Sequence, residues 1–171
     1  KVYTDLDTDP AASCIAEYLD QVNSYLADSN RTIWDTSYSA ALFWNYLTEQ
    51  YGTAASEPGR GVDFVAGWWF AAVLLDDPGS IETTDYTIDS FADGESMQFA
   101  FRSFLLANLL KDYDLSARSQ AFRNRYSYRD EDPNGPIDQN LYAEIVPDGT
   151  TTVSDANNNR ILGFGAAHYG A

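Results

Sequence analysis

The chain has 171 residues, a length that fits one domain able to bury roughly two-thirds of the surface its unfolded form exposes. Hydrophobic residues make up 44% and aromatic residues 15%, which excludes intrinsic disorder and predicts an aromatic core. A formal net charge of −16, from 10 Lys and Arg against 26 Asp and Glu, repels phosphate backbones and anionic lipid surfaces, so nucleic acid is not an expected partner.

The chain opens at Lys1 and its single Met is Met97, a pattern read as a processed or excised piece of a longer protein. No apolar run approaches the ~18 residues of a membrane span. A single Cys, Cys14, permits no internal disulfide and sits among helical apolar residues as a buried thiol would. Low Lys content and many Asn, Asp, Thr and Tyr favour an exported protein, extracellular or at the cell surface. Asn30-Arg31-Thr32 is a glycosylation sequon that matters only if the source glycosylates.

In chain order, Asp9-Pro10 offers an N-cap and a first-turn proline, after which Ile15, Tyr18, Leu19, Val22, Tyr25 and Leu26 recur at helical spacing. Residues 29–35 form a polar link that leaves Trp34 exposed. Asp35, Thr36 or Ser37 then caps a second helix with Leu42, Phe43, Tyr46, Leu47 and Tyr51 inward and Gly52 at its C-terminal cap. After a loop with Pro58-Gly59, Val62 to Leu75 is apolar on every side, and such a helix is expected to be central and buried, Trp68 and Trp69 included. Asp77-Pro78-Gly79 ends it. A short helix around Tyr86 to Phe91 follows, and Asp93-Gly94-Glu95-Ser96 leads into a long helix from Met97 to Tyr113 with Phe101, Phe104, Leu105, Leu109 and Leu110 as its stripe.

Beyond Asp114, Gly, Pro, Asn and Asp punctuate short runs at 141–146, 150–153 and 160–164, which read as strands or extended segments. The fold class is therefore mainly α: a bundle of about five helices over 1–114, with an irregular, β-containing extension over 115–171, in a single domain.

Several constellations carry possible chemistry. Asp130, Asp132, Asn134 and Asp138 alternate around Gly135 as in a calcium loop, although Leu141 stands where a bidentate Glu belongs; a solvated Pro-Gly turn is the simpler alternative. Asp5, Asp7 and Asp9 repeat the alternation with Pro10 in place of the Gly, and Asp9 serves better as a cap. Asp155-Ala-Asn157-Asn-Asn159 reads as a turn. A Ser-His-Asp triad would have to use His168 without a nucleophile elbow and is rejected. Carboxylate pairs for glycoside hydrolysis cannot be judged from spacing. Arg118, Arg123, Arg125 and Arg129 interleave with Phe122, Tyr126 and Tyr128; in so acidic a chain these arginines are expected to pair with its own carboxylates.

The segment Ser37-Tyr-Ser-Ala-Ala-Leu-Phe-Trp-Asn-Tyr-Leu-Thr-Glu-Gln-Tyr-Gly52 resembles the Tyr-led helix that follows the zinc-binding helices in secreted metallopeptidases of the gluzincin type, the superfamily of thermolysin and the zinc aminopeptidases. Tyr18 to Leu26, Phe99 to Asn108 with Lys111-Asp-Tyr113, Tyr126 to Glu131, and Gly163-Phe-Gly-Ala-Ala-His-Tyr169 are similar to flanking parts of that helical region. The resemblance implies the helical, C-terminal part of such a protein, forming one wall of a peptide-substrate cleft. It also implies that Tyr38 would donate its hydroxyl to the oxyanion formed on the substrate carbonyl. For the chain alone, a core Tyr bonded to a backbone carbonyl is the simpler reading. Zinc needs two His one helical turn apart and a further carboxylate, and this chain has one His, so the isolated chain is expected to be inactive. The zinc-binding half would lie upstream, and it or self-association would supply the partner. The competing class is a non-catalytic extracellular module, structural or self-assembling.

Overall fold

The computed structural model describes residues 13–27, 40–55, 59–77, 80–111, 113–128 and 142. Six helices lie among them: α1 (Ser13–Ala27), α2 (Ala41–Tyr51), α3 (Gly59–Leu75), α4 (Ile81–Phe91), α5 (Met97–Leu110) and α6 (Gln120–Arg125). The described residues contain no strand, and the fold is mainly α, as the periodicity predicts. One helix more than expected, α6, occupies the start of the segment read as extended. The expected strands over 141–146, 150–153 and 160–164, the caps at Asp9 and Asp35 to Ser37, and Trp34 lie outside the described residues, Tyr142 excepted. Cys14 falls in α1, but its thiol is not among the described side chains.

Serine starts three of these helices. Ser80, Ser96 and Ser119 each hold extended backbone and accept a hydrogen bond from the N–H three residues on, at 3.0, 3.2 and 3.2 Å. Each hydroxyl satisfies one of the donors that a helix start leaves without a partner. Between α4 and α5 the chain turns at Gly94, whose φ of 78° is open to glycine at little steric cost. Gly52 stands at the C-terminal end of α2 as expected, yet its φ is −58°, so the left-handed conformation is not used there; its N–H closes onto the Thr48 carbonyl at 3.1 Å.

α2 packs against α1, α3 and α5 and forms the centre of the bundle. Leu42, Phe43, Tyr46, Leu47 and Tyr51 are all buried, as their spacing predicts. Val22, Tyr25 and Leu26 of α1 close one side. Phe104 of α5 lies at the middle of an aromatic cluster, 5.0 Å from Phe43, 5.7 Å from Tyr46 and 6.1 Å from Tyr25 between ring centroids. Such ring pairs contribute about 0.5–1.5 kcal/mol each beyond the area they remove from water. Tyr142 joins the same core, with its hydroxyl 3.0 Å from that of Tyr18 and its ring edge against Tyr128.

Two faces differ from expectation. On α5 the buried line is Met97, Ala100, Ser103, Phe104, Ala107 and Asn108, while Phe101 and Leu105 are only half-buried. Close helix packing places small residues inward there. On α3 the departure is larger: the helix is not buried all round. Its inward side is Phe64, Ala71 and Ala72 with Gly67, and its outward side carries Val62, Trp69, Phe70, Val73 and Leu74, all exposed. Gly67 brings the backbone so close to α4 that an added Cβ would meet the Phe91 ring at 2.5 Å. Gly67, Ala71 and Ala72 leave room for close packing on that side beside buried Phe64, while Trp69, Phe70 and Val73 face outward.

Candidate functional site

Tyr38, the residue with an implied catalytic role, precedes α2 and lies outside the described residues, as do Asp130, Asp132, Asn134, Asp138 and His168. Among the described residues, no three His, Cys, Asp or Glu side chains come together in a group that could hold a metal ion. The zinc implied by the resemblance does not fit this chain, whose single His cannot supply the required pair of ligands. No described helix is long and apolar enough to cross a membrane.

Two described features stand out. The first is a polar junction at the C-terminal end of α2. Arg125, the last residue of α6, forms a two-pronged ion pair with Glu95, Nη2 to Oε1 at 2.6 Å and Nη1 to Oε2 at 3.1 Å. The Tyr51 hydroxyl donates to the same Oε2 at 2.8 Å. The guanidinium also lies over the rings of Phe99 and Tyr51, at 5.3 and 5.8 Å. This bears out the expectation that the arginines of this segment pair with the chain's own carboxylates, at least for Arg125. Close by, the Tyr46 hydroxyl donates to the Arg125 carbonyl at 3.1 Å.

Burial, the hydrogen bond to Glu95 and the charge of that carboxylate push the Tyr51 phenol well above its ordinary range. Burial likewise pushes Tyr46 up, against the opposing pull of the Arg125 charge. Burial acts to lower Arg125, but its hydrogen bond and charge pairing with Glu95 outweigh it and raise the guanidinium further. Tyr51 is therefore a permanent donor and Arg125 a permanent cation at physiological pH. Both Glu95 oxygens are engaged, so the junction is a brace between α2, α6 and the turn before α5 rather than an acid or base awaiting a substrate.

The second feature is the outward face of α3. Trp69 is 60% exposed, Phe70 69% and Val73 78%, values unusual for side chains of this size on one helix. Sequence periodicity missed this face because α3 is apolar on both sides, which leaves no polar stripe to mark the solvent. The available signal lay in residue size: Gly67, Ala71 and Ala72 share one side and Trp69, Phe70 and Val73 the other. Trp68 sits at the boundary, its indole N–H donating to the Thr84 hydroxyl at 3.1 Å.

No protein family, no curated protein and no solved structure matched this chain.

Proposed function

We propose that the chain is the non-zinc-binding helical portion of an exported metallopeptidase-like protein, forming one wall of a peptide-binding cleft to which Tyr38, just ahead of α2 in the sequence, contributes its hydroxyl. The observation that supports this reading best is α2 itself. The stretch from Tyr38 to Gly52 that resembles the family's Tyr-led helix is helical over Ala41–Tyr51, and that helix packs at the centre of the bundle. A phenol beside such a cleft offers a hydrogen-bond donor where negative charge develops on a peptide carbonyl. The zinc-binding residues belong to an upstream half, and no step at this chain's residues depends on holding the metal.

The encoding reading frame provides the test. A His-Glu-x-x-His with a downstream Glu within about a hundred residues before Lys1 is expected. In the complete protein, Tyr38→Phe is expected to lower kcat by roughly two to three orders of magnitude with the melting temperature nearly unchanged. A signal-peptide cleavage site directly before Lys1, or unchanged turnover in the variant, overturns the reading.

A further inference from the structure

From Gly61 to Ser96, which covers all but the first two residues of α3 and the whole of α4, the sequence contains eight acidic residues and no Lys, Arg or His. Within that stretch lies the outward face of α3: Val62, Val65, Trp69, Phe70, Val73 and Leu74. These positions recur at three- and four-residue steps, so they form one continuous stripe along the helix. Their combined exposed surface is on the order of 600 Å², at the upper end for an isolated monomer and approaching one side of a standard protein interface.

The charges around the stripe select what can cover it. Its C-terminal end runs into Asp76 and Asp77, and the stretch that contains it offers no cation to offset them. A second copy would bring the same acids onto the same acids, in a chain already at −16. An anionic lipid surface meets the same repulsion. An apolar ridge flanked by cations meets none, because it buries the stripe and neutralises the rim together.

We propose that the outward face of α3 is a docking surface for an amphipathic protein helix whose apolar ridge is flanked by Lys and Arg. The occupant lays its ridge along Val62, Trp69 and Val73, with its basic flank against Asp76 and Asp77, the aspartates that end α3. The inference stands on α3 and α4 and does not depend on the metallopeptidase reading.

The test uses the chain with two synthetic helical peptides sharing one Leu ridge, flanked by Lys in the first and by Glu in the second. The Lys peptide is expected to bind at least tenfold more tightly, as measured by calorimetry and by a change in Trp emission. Val73→Asp should abolish binding without lowering the melting temperature, since Val73 makes little of the fold. Removing the flanking charges with Asp76→Asn and Asp77→Asn should narrow the preference for the Lys peptide. Absence of binding, equal affinity for both peptides, or affinity unaffected by Val73→Asp overturns the proposal. So does a dimer of the free chain that Val73→Asp dissociates, which would assign the face to a second copy.

Discussion

Glu95 and Arg125, thirty residues apart, meet in a two-pronged ion pair that ties the turn before α5 to the end of α6. Neither residue is fully exposed, with side-chain exposures of 24% and 28%. Two parallel N–H to oxygen bonds fit the planar guanidinium, and the hydroxyl of Tyr51 fills a remaining acceptor position. Glu95→Gln would leave a half-buried guanidinium without its counter-charge. A loss of about 1–2 kcal/mol is expected, between the values for surface and buried pairs, and a melting temperature roughly 3–6 °C lower. Arg118→Gln, which removes an exposed cation lying over the Phe122 ring, should change stability by less than about 0.5 kcal/mol.

Alkaline pH provides a second test of the same junction. Tyr51 and Tyr46 are raised in the folded chain above the unfolded value of 10.0, so the unfolded state releases their protons first. Stability from this source is full below about pH 10 and falls as pH rises beyond it, by up to ~1.4 kcal/mol per pH unit for each group. Urea midpoints measured between pH 8 and 11 should follow that decline. Tyr51→Phe should cost about 1 kcal/mol at neutral pH through the lost bond to Glu95 and make the alkaline decline shallower.

The parts of this fold legible in the sequence are those where apolar and polar residues alternate at helical spacing. On α2, Leu42, Phe43, Tyr46, Leu47 and Tyr51 are buried as their spacing marks them, although burial extends to polar Asn45, Thr48 and Glu49, which the pattern does not show. On α5 the period was readable but the rotation was not, because Ala100 and Ala107 line the close contact while the bulkier Phe101 and Leu105 attract the eye. On α3 an all-apolar sequence supports either full burial or an uncovered face, and the distinction depends on how closely α4 approaches at Gly67. Among candidate sites, Tyr38 was legible only through resemblance. The charge balance foretold that Arg125 would pair within the chain, but its partner was set by folding across thirty residues.

Asp63 governs the opposite end of the pH range. Its Oδ2 accepts from the Thr53 N–H at 2.7 Å, the Thr53 hydroxyl at 2.8 Å and the Ala54 N–H at 2.9 Å, fastening the chain that leaves α2 onto α3. Partial desolvation acts to raise this carboxyl, but the hydrogen bonds from Thr53, Ala54 and Phe64 together outweigh it and hold the group below its ordinary value of 3.8. A depressed folded value means that the contribution is present above the unfolded pKa and is lost as pH falls through the folded one. Stability should therefore decline from about pH 5 downward. Asp63→Asn should be less stable at pH 7 and lose less on acidification, with proteolysis near Thr53 and Ala54 accelerated. Identical acid slopes in the two proteins would assign the acid sensitivity to other carboxylates.

Two glycines of α3 should respond to the same substitution with opposite sign. Alanine is favoured over glycine within a helix by up to about 1 kcal/mol, so the outcome depends on what the new methyl meets. At Gly61 the nearest atom is Thr48 Cβ at 3.5 Å, an ordinary contact. Gly61→Ala should raise stability by about 0.5–1 kcal/mol. At Gly67 the methyl would stand 2.5 Å from Phe91 Cε2 and 3.0 Å from Cζ. The Phe91 ring has little room to retreat, since it packs edge-on against buried Phe64 at 5.3 Å between centroids. Gly67→Ala should therefore lower stability by about 1–3 kcal/mol despite its better helix propensity. Phe91→Leu in the Gly67→Ala background should recover part of that loss by removing the ring edge, a coupling that denaturant midpoints of the four proteins in the cycle would measure. Stabilisation by Gly67→Ala alone would mean that α3 and α4 lie further apart than the Phe91 contact implies.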